Sequence, residues 1–191
     1  ISRGDSEAVQ TAARTLREVI TADLKYSRVF NPLPNSYYEY IPGIDPSNPD
    51  EINFTDWESI QAKLLLVGEV SRDENQGFIF EAKIFDVKAA RFIKGKRYQT
   101  DPDLLRLAGH KLSNECMLLY GEAPIFTTKI VFVSNRDGND ELYMMDYDGH
   151  NQIRLTFNRE KDYMPAWSSD TQTIAYTHYA NQKAGLYLLN P

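Results

Sequence analysis

Cysteine is nearly absent from this 191-residue sequence, which carries only Cys116. A single thiol excludes an intramolecular disulfide framework and any cysteine-rich metal site. Long apolar runs are missing too: Leu64-Leu65-Leu66-Val67 is four residues, where a spanning helix needs about 20. Basic charge is in the minority, with 21 Lys and Arg against 27 Asp and Glu and a formal net charge of −6. That balance does not suit a protein built to coat the nucleic-acid backbone. There is no Gly-x-Ser-x-Gly elbow, no Gly-x-Gly-x-x-Gly and no glycine-lysine phosphate loop. The first residue is Ile1, with neither methionine nor an apolar leader, so the chain is expected to be a processed or trimmed product.

What is present falls into two halves with different periods. From Asp5 to Lys25, Val9, Ala12, Ala13, Leu16, Val19, Ile20 and Leu24 recur at helical spacing, within an arc of about 140°. Asp5 or Ser6 is placed to cap that helix. Val29 to Leu33 reads as a short strand closed by Pro32 and Pro34. The stretch from Pro34 to Asn53, with Pro42, Pro46, Pro49 and three tyrosines, reads as a long ordered loop or a flap. Thr55 and Glu58 have capping-box spacing for a short helix. Leu64 to Val70, Phe78 to Val87 and Arg91 to Gln99 read as strands. Asp101-Pro102 opens a helix whose apolar arc is Leu104, Leu105, Ala108, Gly109, Leu112, Cys116 and Leu119, stopped by Gly121. This order predicts an α/β domain over residues 1–124.

After Pro124 no helical period survives. Short strands are expected at Lys129–Ser134, Glu141–Tyr147, Gln152–Thr156, Met164–Trp167, Thr173–His178 and Leu186–Asn190. Two of them repeat: Ile130-Val131-Phe132-Val133-Ser134 is similar to Ile174-Ala175-Tyr176-Thr177-His178, and Leu142-Tyr143-Met144-Met145-Asp146 to Leu186-Tyr187-Leu188-Leu189-Asn190. Both matches fall at one offset, 44 residues, inside the β-propeller range. Residues 125–191 are therefore expected to form an incomplete propeller of about one and a half blades. Their uncovered apolar faces make self-association between copies an expected property.

The side chains able to carry chemistry are scattered. His110 falls on the polar arc of its helix with Arg106, Ser113 and Asn114, about 120° from Cys116. It is expected to be solvated, and the thiol buried and inert. Asp146, Asp148 and Asn151 superficially resemble a calcium loop, but glycine stands at the fourth position, Gly149, and no glutamate follows at the required distance. A β-turn at Asp148-Gly149 is the expected structure. Arg91, Lys94, Lys96 and Arg97 alternate along a strand and read as a solvated edge. No catalytic, cofactor-binding or metal-ligating residue is assigned.

Several stretches together resemble the TolB family of the Tol-Pal cell-envelope system. Ile20-Thr21-Ala22-Asp23-Leu24 with Phe30-Asn31-Pro32-Leu33 is similar to the family's first helix and the strand after it. Leu107-Ala108-Gly109-His110 with Tyr120-Gly121-Glu122 is similar to its last amino-terminal helix. Phe126-Thr127-Thr128-Lys129-Ile130 resembles the entry to its propeller, and Asp146-Tyr147-Asp148-Gly149-His150-Asn151 its first blade turn. Pro165-Ala166-Trp167-Ser168-Ser169-Asp170 resembles the recurrent Pro-x-Trp-Ser-Pro-Asp-Gly motif, with Ser169 and Thr171 in place of proline and glycine. The resemblance implies an anticodon-binding-like three-layer domain with a mixed sheet, followed by blades of a six-bladed propeller. It also implies a non-enzymatic periplasmic adaptor without cofactors, with a Pal-like lipoprotein and a TolA-like protein as partners. No partner-contact residue carries over. The alternatives are another envelope-binding propeller, or the propeller part of a serine hydrolase whose catalytic domain lies elsewhere.

Overall fold

In a computed structural model, which describes residues 7–45, 48, 51–181 and 183–191, the first helical period becomes α1, Glu7–Ser27. Its apolar stripe is buried, from Val9 through Ala12 and Leu16 to Ile20. The expected caps Asp5 and Ser6 lie outside the described residues. The helix stops where Arg28 turns left-handed at φ 59°, while the Ser27 hydroxyl donates to the Leu24 carbonyl and accepts from the Val29 amide.

The strand expected at Val29 to Leu33 does not form; the segment is irregular. Pro32 and Pro34 bring no amide hydrogen to a ladder, so a strand there would be interrupted from the start. Phe30 instead lays its ring edge-on against Tyr120 at 5.1 Å. The loop that follows holds a 3-10 turn at Asn35–Tyr37, and Tyr38 contacts the Trp57 ring at 5.7 Å. Helix α2, Phe54–Ser59, begins after Asn53, so the Thr55–Glu58 capping box is not used. Asn53 bonds Asp56 instead, at 2.9 Å.

Strands β1, Leu64–Arg72, β2, Phe78–Asp86, and β3, Arg91–Thr100, make an antiparallel meander in the order β1-β2-β3. The sheet is antiparallel among the described residues, not mixed, because the segment after α1 that could have supplied a further strand stays irregular. A short 3-10 turn, Pro102–Leu104, leads into α3, Leu105–Leu119. Helix α3 ends at Gly121, whose φ of +74° only glycine adopts at no cost.

Side-chain alternation sorts the sheet into two faces. Val70, Phe78, Phe80 and Ala82 pack under α1 and α3, while Leu65, Val67 and Phe85 on the other face meet Ile52, Phe54 and Trp57. The loop and α2 thus cover the back of the sheet, which gives three layers. Helices α1 and α3 meet closely at Gly109. A Cβ there would lie 2.9 Å from Val19 Cγ1, and valine is stiff at χ1. Gly109→Ala gains about 1 kcal/mol of helix propensity but incurs an overpacking cost of about 1–3 kcal/mol. The expected result is net destabilisation, read as a lower urea midpoint at constant slope; a raised midpoint would contradict the close crossing.

The chain divides into two compact units, with the division between Pro124 and Ile125. In the second unit β4, Lys129–Ser134, β5, Glu141–Asp146, and the two-residue β6, Ile153–Arg154, form one antiparallel sheet. Strands β7, Lys161–Trp167, β8, Ile174–Ala180, and β9, Lys183–Leu189, form a second. The repeat at offset 44 equates β4 with β8 and β5 with β9. Strand β7 starts earlier than its sequence suggests because a bulge between Tyr163 and Ala166 interrupts the ladder. Met164 stands at φ 54° within it.

Candidate functional site

Each of the three histidines is set against an aspartate. His110, expected in solvent, is buried in α3, and its Nδ1 lies 2.9 Å from the Oδ2 of buried Asp23 on α1. A carboxylate only accepts, so Nδ1 carries the hydrogen. The reason for the departure is that α3 packs against both α1 and the sheet, which encloses its polar arc. Ser113 and Asn114 are buried with it, and Ser113 Oγ donates to the Gly109 carbonyl at 3.1 Å. Asp23 was legible in the sequence as the i+4 neighbour of Val19 and the i+3 neighbour of Ile20, inside the apolar stripe of α1.

Cys116 is buried as expected, and burial pushes its thiol up to about 11. The thiolate is the reactive form. We expect negligible labelling by an aromatic disulfide at pH 8 without denaturant and stoichiometric labelling in it; fast native labelling would contradict the placement.

Strand β3 is the edge strand expected, with Arg91 and Arg97 exposed, but Lys94 and Lys96 are half-buried. Lys94 and Lys96 share the face of β3 that meets α3, and both bind Glu115, at 2.5 and 2.6 Å. Arg97 pairs with Glu81 at 3.1 Å. The charges of Lys94, Lys96 and Arg97 are thus paired within the unit. A groove of about 600 Å³ also opens in this unit, lined by Ala8, Thr11, Arg72, Phe78, Pro102 and Arg106 among others.

The densest polar constellation sits where the two small sheets join. Glu141 is fully buried at the start of β5. One of its oxygens accepts from Asn139 Nδ2 at 3.0 Å, the Asn158 amide at 3.1 Å and Arg154 at 3.1 Å. Burial alone would raise this carboxyl, but hydrogen bonds from Thr156, Asn139, Asn158 and Arg154 outweigh it and hold it below the usual glutamate value. Asp162, also fully buried, meets His178 Nδ1 at 2.6 Å and accepts from Asn158 Nδ2 at 2.8 Å. Asn158 therefore touches both carboxylates and ties the first sheet to the strand that opens the second. Strand β7 carries this lock against β4 and β5.

The Asp148-Gly149 segment is the expected turn: Gly149 has φ +88° and its amide reaches the Asp146 carbonyl at 2.9 Å. Among the described residues no group of three or more His, Cys, Asp or Glu side chains is placed to hold a metal ion. Nor is any described helix long and apolar enough to cross a membrane.

Sheets of this kind, stacked at a fixed sequence offset behind a three-layer domain, are what the comparisons with known proteins match. The family model described as the TolB amino-terminal domain matches residues 2–93, and that of the TolB beta propeller domain matches residues 117–190. The chain belongs to the TolB family. A Tol-Pal system protein TolB from Desulfosudis oleivorans is 32% identical over 178 residues, covering 93% of this chain and 40% of that protein. One from Blochmanniella pennsylvanica is 33% identical over 180 residues, covering 91% of this chain and 39% of its own length. The fold matches the crystal structure of TolB from Acinetobacter baumannii with a TM-score of 0.79 and 21% identity, over 100% of this chain and 45% of that one. The chain thus spans about 40% of the length of the curated relatives it matches. Within the family frame, the two small sheets are propeller blades, and Glu141, Asp162 and His178 form a lock between consecutive blades. Sequence reasoning passed over that lock.

Proposed function

We propose that this TolB-family chain is a non-enzymatic adaptor of the periplasm, binding a Pal-like lipoprotein and a TolA-like protein and so supporting outer-membrane integrity and envelope constriction. The observation that carries this reading is the order of the two family matches, amino-terminal domain then propeller, in a chain whose relatives are named for the Tol-Pal system. The chemistry favours it as well. The histidines on α3 and β8 direct Nδ1 to buried aspartates that join neighbouring elements, and the thiol is enclosed. Blade sheets offer broad, rigid surfaces suited to protein contacts.

The test is calorimetric titration of the 191-residue chain with the soluble domain of a Pal lipoprotein and with the carboxy-terminal domain of TolA. With two blades, the contact area is small and the expected affinity is modest, about 10–100 µM. No heat of binding to either partner at about 200 µM would overturn the reading. Esterase or peptidase turnover that follows the pure protein would overturn it too.

A further inference from the structure

A second, smaller pocket of about 230 Å³ opens at the carboxy-terminal end of β3. Its walls come from the β1–β2 turn, from residues 98–101 and from α3, all within the first unit. Leu104 and Leu107 give it an apolar side, and Asp73, Tyr98, Asp101 and Lys111 bring polar groups to it.

Two of these groups are fixed in place. Asp73 Oδ1 accepts from the amides of Asn75 at 2.9 Å and Gly77 at 2.6 Å, and Oδ2 accepts from Gln99 Nε2 at 3.0 Å. These bonds, that of Gln99 first, hold its carboxyl below the ordinary aspartate value. A Cβ on Gly77 would lie 2.9 Å from both Asp73 Oδ2 and the Thr100 carbonyl, so this carboxylate sits against the residue that precedes Asp101. The Tyr98 ring is stacked on Phe80 at 5.8 Å. Its hydroxyl is shielded from solvent and has no hydrogen-bond partner among the described residues. Burial pushes the phenol up to about 12, so at neutral pH it keeps its hydrogen and is a donor. A buried hydroxyl without a partner carries a penalty that a ligand oxygen removes.

The other two are exposed, opposite in charge and on the same pocket, yet neither side chain has a partner among the described residues. Asp101 does not cap the turn it precedes. Lys111 lies about 9 Å along α3 from its first residue, with its stem directed back toward the amino-terminal end of the helix. Two opposite charges that share a pocket without meeting are satisfied together by one molecule that carries both.

We propose that the first unit binds a small zwitterion of the amino-acid class, with an apolar side chain, in this pocket. Its ammonium goes to Asp101 and Asp73, its carboxylate to Lys111 and the Tyr98 hydroxyl, and its side chain to Leu104 and Leu107. The reverse orientation would set like charges against each other and leave the ammonium facing a donor.

The experiment is a 15N NMR titration of the whole chain with L-leucine to about 20 mM, well above the millimolar dissociation constant expected of so small a ligand. The expected result is saturable shifts at residues 73–77 and 98–111, with the second unit unmoved. N-acetyl-leucine, which lacks the ammonium, and leucinamide, which lacks the carboxylate, should each bind about tenfold more weakly. Lys111→Met and Asp101→Asn should weaken leucine binding by a similar factor, and Lys88→Met, on the turn between β2 and β3, should leave it unchanged. Tyr98→Phe should bind leucine about fivefold more weakly, while its melting temperature without ligand holds or rises. The absence of saturable shifts would overturn the proposal. So would equal binding of N-acetyl-leucine, or full affinity in Lys111→Met. A lowered melting temperature in Tyr98→Phe with unchanged affinity would overturn it too, by giving the hydroxyl a purely structural role.

Discussion

Asp23→Ala should lower the stability of the first unit by about 1–3 kcal/mol, the cost of leaving a buried hydrogen-bond donor without its acceptor. His110 would keep its place between α1 and α3 with no carboxylate at 2.9 Å to receive its Nδ1 hydrogen. For a unit of this size each kcal/mol is worth about 3–6 °C in melting temperature, so the shift should be about 3 °C or more. Asp23→Asn retains an acceptor oxygen and should cost markedly less. Trp57 lies in the first unit and Trp167 in the second, so Trp167→Phe leaves a fluorescence signal that follows the first unit. A change below about 1 kcal/mol would show that the pair does not hold the two helices together.

Glu141→Ala should unfold the second unit at room temperature. That unit runs only from Ile125 to Pro191, and small units carry little stability to lose. Removing the carboxylate would leave the Asn158 backbone amide without the acceptor it has now. It would also take one partner each from Arg154, which keeps Asp137 and the Thr156 carbonyl, and from Asn139, which keeps the Glu160 carbonyl. The expected loss is about 2–3 kcal/mol, from the unsatisfied Asn158 amide and the loosened Arg154 and Asn139 contacts. In a Trp57→Phe background, Trp167 should report an unfolded environment while the helical signal of the first unit persists. The same carboxyl sets an acid limit. Its folded value lies below the ordinary one, so its stabilisation is full above about pH 4.3, the unperturbed glutamate value, and is lost as pH falls through the lowered folded value. Glu141→Gln should flatten the pH dependence of the second unit's stability in that acid range. An unchanged acid transition would refute the role.

The contrast between these two sites shows what a single sequence reveals. The stripe Val9 to Leu24 and the 44-residue repeat rest on periodicity, which burial enforces along the whole element, and both emerge in the structure. The β-meander also follows, since alternating strands joined by short turns leave few pairings. The pairs Asp23–His110 and Asp162–His178 depend on which elements meet, and one helix or strand cannot announce its neighbour. Asp23 did leave a trace, a carboxylate set among apolar positions of α1. His110 left none, because its arc is polar and becomes enclosed only when α3 is packed on two sides. The absent strand at Val29 to Leu33 was a conflict of local signals, where β-formers lost to Pro32 and Pro34.

The proposal that residues 125–191 form a blade scaffold for protein recognition can be tested directly. The most direct measurement is a residue-resolved 15N NMR titration of the whole chain with the soluble domain of a Pal lipoprotein. The account predicts saturable shifts concentrated on the blade strands and turns between Lys129 and Leu189, with α1 and α3 unmoved. Shifts confined to the first unit, or none at all at partner concentrations near 200 µM, would contradict it.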